Sequence, residues 1–129
     1  MERVSSILIV SNDEKFRRKA VQYFLEMGYR VQTAENGTRA ISTIIEQGAE
    51  AVLIQAQLPG LSGFDTAVII KKIDPKVRVI MSLEDETFPS IEETKQIDFF
   101  ECFVEPINLS YINEALRSNR VKEEGRWGK

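Results

Sequence analysis

Short apolar segments alternate with longer amphipathic segments along the whole chain. Five of the short segments have the length and composition of strands: Val4–Val10, Tyr29–Ala34, Ala51–Ile54, Val77–Met81 and Cys102–Val104. Apolar runs of this length, bounded by turn residues, are typical of strands covered on both faces of a sheet. The pattern therefore predicts five strands.

The segments between these strands repeat apolar residues at helical spacing. In the first segment the repeat comprises Phe16, Ala20, Phe24 and Met27. Asn12 is the predicted N-cap of this helix, and Gly28 ends it. A second helix is predicted between Asn36 and Gly48, with an apolar face made by Ala40, Ile41, Ile44 and Ile45.

Three further helices are predicted towards the C-terminus. The third spans Phe64–Ile73, and the fourth begins near Pro89 and runs to about Ile97. Asn108 or Ser110 is expected to cap the last helix. The apolar face of that helix is predicted to comprise Tyr111, Ile112, Ala115 and Leu116.

Strands that alternate with helices indicate a parallel α/β sheet with helices on both faces, because each crossover is right-handed and covers one face. Five such units favour the doubly wound strand order 2-1-3-4-5, which flavodoxin also has. We expect one domain over residues 1–118, and the polar residues 119–129 to be a tail or the start of a linker.

Composition narrows the classes of function. The chain has 129 residues, of which 43% are hydrophobic and 29% charged, with a net charge of −3. This balance is typical of a globular domain and offers no basic excess for direct binding of nucleic acid. No apolar run is long enough to span a membrane and no signal peptide is visible, so we expect a cytoplasmic protein. The absence of histidine disfavours many enzymatic mechanisms.

In doubly wound sheets the functional crevice lies outside the carboxyl ends of the strands. The polar residues predicted at this edge are Ser11, Asn12 and Asp13 after strand one, Gln55 after strand three, Ser82 to Glu84 after strand four, and Glu105 with Pro106 after strand five. Any chemistry of the domain is expected among these residues.

At this edge the sequence resembles the receiver domain of bacterial two-component response regulators, over about Ser5 to Ser118. In that family a phosphoacceptor Asp is followed by Pro four residues later and Gly eight residues later. Gln55, Pro59 and Gly63 keep this spacing in the segment QAQLPGLSG. Supporting segments are ILIV before the acidic turn, AENGTRAI at the second helix, VRVIM at strand four and VEP after strand five.

The resemblance implies a phosphorylation pocket whose reactive groups are replaced. Gln55 stands at the phosphoacceptor, Ser11 and Asn12 at the two metal-binding acids, Leu83 at the switch Ser or Thr, and Glu105 at the Lys. An amide is a poor nucleophile, and a hydroxyl and an amide lack the negative charge that attracts Mg²⁺. We therefore expect no bound Mg²⁺ and no cofactor.

Two family positions can be aligned with either of two neighbouring residues of this chain, because only the spacing from Gln55 to Gly63 fixes the alignment. If strand one ended one residue later, Asp13 could serve as a metal-binding acid. If strand four were displaced, Ser82 could supply the hydroxyl in place of Leu83. Neither change would restore the nucleophile.

The resemblance also implies features around strand five. Pro106 resembles the family's cis proline, and Cys102 stands where the family often has an aromatic switch residue. A face used for partners is expected near the fourth predicted helix, the fifth strand and the last helix, with candidate residues Phe99, Phe100, Cys102 and Tyr111. A homodimer through this face is possible on the same ground.

The leading hypothesis from the sequence is a non-enzymatic receiver-like module that acts by protein contact, with a protein partner or a fused output domain. One alternative is phosphorylation at a nonstandard carboxylate, Asp13 or Asp65. Another is a small-molecule binder with flavodoxin topology. The segment Ser11–Glu14 argues against a bound phosphate, because it has no Gly and has two acids at a helix N-terminus.

Overall fold

The computed structural model describes residues 5–84 and 101–118, in which strands and helices alternate. The elements are β1 (Ser6–Val10), α1 (Glu14–Glu26), β2 (Arg30–Ala34), α2 (Gly37–Glu46), β3 (Ala51–Gln55), α3 (Gly63–Ile73), β4 (Arg78–Leu83), β5 (Glu101–Val104) and α4 (Leu109–Ser118). The helix predicted near Pro89–Ile97, Phe99 and Phe100, and the tail 119–129 lie outside the described residues. None of the described helices is long and apolar enough to cross a bilayer.

The five strands form one parallel sheet in the order β2-β1-β3-β4-β5, which confirms the predicted fold class. The register pairs Val10 with Ala34 and with Ile54, and it pairs Gln55 with Ser82. The carboxyl ends of these strands therefore meet at one edge of the sheet, as the predicted topology requires.

Each face of the sheet buries its own apolar core. Leu8, Val10 and Ile54 belong to a core that α2 and α3 cover. Ile7 and Ile9 point to the opposite core, which contains Phe24 of α1 and Ile112 and Leu116 of α4. Successive strand side chains point to opposite faces, so a strand covered on both sides must be apolar throughout.

Three residues predicted on apolar helix faces are instead exposed. Ile45 is 64% exposed, Tyr111 59% and Met27 39%. Met27 and Ile45 lie at or near the C-terminal ends of α1 and α2, and the buried stripe of each helix is narrower than its apolar pattern. The stripe of α2 is carried by Ala40 and Ile44.

The predicted N-cap of α1 is wrong by one residue. The Asp13 carboxylate, not Asn12, accepts hydrogen bonds from the backbone N–H groups of Lys15 (3.0 Å) and Phe16 (3.2 Å). The N–H of Asn12 is instead directed across the sheet edge to Gln55. At α4, Asn108 is the capping side chain, because its Oδ1 accepts from the N–H of Ser110 at 3.0 Å.

The amino ends of β1 and β3 are joined through Glu50. Its Oε1 accepts from the N–H of Ser5 at 2.5 Å and from the Ser5 hydroxyl at 3.1 Å, and its own N–H donates to Ser6 Oγ at 3.0 Å. The hydrogen bond from the Ser5 backbone lowers the pKa of the Glu50 carboxyl. Hydrogen bonds to the ionised form have this effect in general.

We expect Glu50→Gln to lower the free energy of unfolding at pH 7 by less than about 1 kcal/mol, because the carboxylate is exposed to solvent. A depressed folded-state pKa stabilises the fold above the unfolded-state pKa and ceases to do so as the pH falls through the folded-state value. The difference between wild type and variant in urea titrations should therefore shrink in acid. Glu46→Gln, a like change at an exposed residue of α2, is the control variant for the same titrations.

Candidate functional site

A cavity of about 230 Å³ lies at the carboxyl ends of the strands. We call it the strand-end pocket. Its polar lining residues are Ser11, Asp13, Lys19, Gln55, Ser82 and Glu105. Its apolar lining residues are Val10, Phe16, Leu53, Pro106, Ile107 and Leu109. Among the candidates from the sequence, the structure thus brings together Ser11, Gln55, Glu105 and Pro106, with Asp13.

Gln55, the last residue of β3, connects this strand to the end of β1. Its Oε1 accepts a hydrogen bond from the Ser11 hydroxyl at 3.0 Å and another from the N–H of Asn12 at 3.2 Å. The amide oxygen of Gln55 is therefore oriented towards two donors that directly follow β1. The Asn12 side chain is exposed and is not among the pocket-lining residues.

Ser11 is only 2% exposed, and its polar atoms are paired with near neighbours. Besides donating to Gln55, its Oγ accepts from the N–H of Asp13 at 3.1 Å. Its carbonyl oxygen accepts from Nη1 of Arg17 at 2.6 Å. A buried hydroxyl is costly unless it is hydrogen-bonded, and here the cost is offset.

Ser82, and not Leu83, supplies the β4 side chain of the pocket. The strand register places Ser82 beside Gln55, and its hydroxyl donates to Oε2 of Glu105 at 2.7 Å. Leu83 is 8% exposed and packs in the core that also contains Met81. Residues 81 and 83 share one face of the strand, so the expectation of Leu83 in the pocket is corrected to the adjacent residue.

Glu105 follows β5 and places a carboxylate in the pocket. The peptide bond between Glu105 and Pro106 is cis, as the family resemblance implied. The N–H of Glu105 donates to the carbonyl of Leu83 at 2.7 Å, which ties this turn to the end of β4. The bond from Ser82 makes a second connection between the same two segments.

The residues predicted for a partner face do not form one exposed cluster in the described part of the chain. Cys102 is partly buried against the core, whereas Tyr111 on α4 is exposed. Val104 on β5, which the sequence did not single out, is 42% exposed. β5 is an edge strand of the described sheet, and Val104 is its last residue.

The pocket contains hydroxyl, amide, carboxylate and ammonium groups. Residues 5–84 and 101–118 hold no group of three or more His, Cys, Asp or Glu side chains arranged to bind a metal ion. One oxygen of Asp13, the weak metal-site alternative, is already engaged by the two N–H groups that it caps.

The apolar side of the pocket and Lys19 were not found from the sequence. Phe16 and Lys19 line the pocket from the first turns of α1, three residues apart. This spacing places two side chains on one face of a helix. If Asp13 is taken as the N-cap, the face of α1 that turns towards the strand ends can be predicted. The positions of Ile107 and Leu109 in the pocket depend instead on the path of the loop after β5.

The sequence matches the profile of the response regulator receiver domain over residues 7–117. The chain belongs to this family. Receiver domains are modules of two-component signalling systems, and this receiver domain has the strand order and strand-end pocket that the fold requires.

Named relatives agree with this assignment. The receiver domain is 27% identical over 111 residues to sporulation initiation phosphotransferase F of Bacillus subtilis, covering 86% of this chain and 90% of that protein. It is 33% identical over 123 residues to the uncharacterized transcriptional regulatory protein YkoG of the same organism, covering 92% of this chain but only 54% of YkoG. The chain thus spans about half the length of this second relative.

A solved structure shows the same fold at lower sequence identity. The CheY-like receiver domain protein from Methanospirillum hungatei superposes with a TM-score of 0.80 at 21% identity, covering 88% of this chain and 94% of that one. Such a likeness bears on the fold of the receiver domain only.

Proposed function

We propose that this chain is a receiver-type module of a two-component system that signals through protein contact without accepting a phosphoryl group in its strand-end pocket. The observation that carries the proposal is the side chain at the end of β3. An amide, that of Gln55, lines the pocket and is hydrogen-bonded to Ser11 and Asn12.

The reaction of an active receiver requires a nucleophile that Gln55 lacks. A carboxylate oxygen must attack phosphorus and keep the phosphoryl group as an acyl phosphate. A neutral amide is a poor nucleophile and cannot form that product. Its oxygen also accepts two hydrogen bonds already, which orient the side chain along the sheet edge.

The electrostatics of the pocket point the same way. Mg²⁺ is usually held by carboxylates together with phosphate and water oxygens. Ser11 and Asn12 provide no charge at the positions where the resemblance places the metal-binding acids. Glu105 stands where the resemblance places a cation, and its carboxylate would repel a phosphoryl group. Ser82 keeps a hydroxyl, but this hydroxyl donates to Glu105.

A module without catalysis acts through its surfaces. The relative YkoG is nearly twice as long as the segment that this chain matches, which supports a fused output domain. The match over 90% of sporulation initiation phosphotransferase F supports a separate protein as the partner. Val104 on β5 and Tyr111 on α4 are both exposed and are the described candidates for contact or for a homodimer. In this role the chain is a non-enzymatic cytoplasmic protein, with no direct contact with nucleic acid or membrane.

Incubation of the folded protein with acetyl phosphate and Mg²⁺ is expected to leave its mass unchanged. A gain of one phosphoryl group would contradict the proposal. Repetition with Asp13→Asn and Asp65→Asn would then identify a nonstandard carboxylate as the acceptor. Asp65 lies in the first turn of α3 and is not among the pocket-lining residues, so Asp13 would be the first suspect.

A further inference from the structure

The strand-end pocket is lined by both apolar and polar side chains. Phe16, Ile107 and Leu109 contribute apolar surface and pack with one core cluster. Ser82 and Glu105 contribute polar groups. Sites for small organic molecules typically combine an apolar wall with a few convergent polar groups. With about 230 Å³, the pocket admits only a small ligand.

The hydrogen bonds within the pocket leave open acceptor positions on the Glu105 carboxylate, beside the amide N–H groups of Gln55 and the ammonium of Lys19. The hydroxyl protons of Ser11 and Ser82 are directed to Gln55 and Glu105. A carboxylate has about four acceptor positions, and the described residues place one hydrogen bond on Glu105 through Ser82. The carboxylate can therefore accept further bonds from a donor in the cavity.

The charge of the lining also favours a donor. Asp13 and Glu105 carry negative charges, and Lys19 carries the positive charge among the lining residues that the structure describes. Lys19 is exposed to solvent, whereas Glu105 is partly buried. Screening by water and salt weakens exposed charges more than partly buried ones, so Glu105 carries the least screened of the three charges in the described lining.

We infer that the strand-end pocket binds a small organic cation, a primary ammonium group on a short apolar chain. The ammonium would bind the Glu105 carboxylate, and the chain would pack against Phe16 and Ile107. The inference rests on the proposed function in one respect, since a phosphoryl group and Mg²⁺ must not occupy the pocket. Such a ligand would act as a chemical signal in the same pocket, in a module that does not use a phosphoryl group.

Titration of the full chain with butylammonium, followed by amide NMR shifts, tests the inference. Millimolar affinity is expected for a ligand of five non-hydrogen atoms. The shifts should centre on Ser11, Gln55, Ser82 and Glu105. Butanol and pentanoate, which carry the same butyl chain without the positive charge, should bind on the order of tenfold more weakly or not at all.

Glu105→Gln is the variant that removes the charge. Its amide oxygen can still accept from Ser82, and we expect butylammonium to bind on the order of tenfold more weakly. Glu46→Gln makes the same charge change on α2, outside the pocket, and should bind like wild type. Asp13→Asn keeps a capping side chain and is the second variant, for which a smaller weakening is expected.

The inference is overturned if butylammonium causes no shifts, if butanol or pentanoate binds as well, or if Glu105→Gln binds butylammonium as tightly as wild type. These outcomes are independent of the acetyl phosphate experiment. A protein that neither gains a phosphoryl group nor binds butylammonium would retain the proposed function and lose only the ligand.

Discussion

The combination of Ser11→Asp, Asn12→Asp, Gln55→Asp and Glu105→Lys is expected to give a protein that gains one phosphoryl group from acetyl phosphate and Mg²⁺. Gln55→Asp alone is expected to gain none. Four substitutions suffice because the hydroxyl is already present, since Ser82 lies beside Gln55 in the strand register and faces the pocket.

The single variant fails for electrostatic reasons. A carboxylate at position 55 would share the pocket with the carboxylate of Glu105, and two nearby negative charges raise the energy of both. Neither Ser11 nor Asn12 supplies the charge that recruits Mg²⁺ to neutralise them. The shorter Asp side chain would also lose the hydrogen bonds that Gln55 receives from β1.

Stability measurements provide an independent check on the four-substitution variant. Ser11 is 2% exposed, and an acid there is destabilising until a cation pairs with it. Addition of Mg²⁺ should therefore raise the melting temperature of the variant, through preferential binding to the folded state, and leave wild type unchanged. Phosphoryl uptake by Gln55→Asp alone would show that the native pocket already supports the reaction.

The fold was predictable because the strands of a doubly covered sheet must be apolar on both faces. The apolar run around Ile7 to Val10 meets this condition. The turn residues beside it mark the bounds of the strand, so the strand can be predicted from local sequence alone. Helix faces were less predictable at their ends. Tyr111 continues the apolar spacing of α4 and yet is exposed. Helical spacing predicts the face of the helix on which a residue lies, but not whether the sheet or another helix covers that face at this position.

The site was predictable to within one residue along each strand. Gln55 is anchored by its spacing to Pro59 and Gly63, whereas β4 has no such anchor, so the sequence places Leu83 at the switch position and leaves Ser82 open as the alternative. Pairing with β3 decides this register, and pairing is a property of two strands together. The apolar wall at Phe16 and Ile107 depends on how a helix and a loop approach the sheet, which no local pattern encodes.

Gly63→Ala is expected to lower the free energy of unfolding by about 3 kcal/mol, measured by urea denaturation. A Cβ at Gly63 would lie 2.1 Å from the carbonyl oxygen of Gln55 and 2.8 Å from Cα of Ala56. These are backbone atoms of β3 and the following loop, so relief requires α3 to move away from the sheet and to break the bond from the Gly63 N–H to the Ala56 carbonyl (2.8 Å).

Gly37→Ala is the matched control for this substitution, because Gly37 also begins a helix and gains the same helix propensity. The nearest atom to a Cβ at Gly37 is the hydroxyl oxygen of Thr66, again at 2.1 Å, but it belongs to a side chain, whereas the nearest atoms at Gly63 are backbone. That oxygen has no hydrogen-bond partner in the described structure, so displacing it breaks no bond there. The loss at Gly37 should therefore be clearly smaller. If both variants lost the same free energy of unfolding, the close contact between α3 and the end of β3 would not be the less tolerant of the two. The position of Gln55 in the pocket would then not depend on that contact.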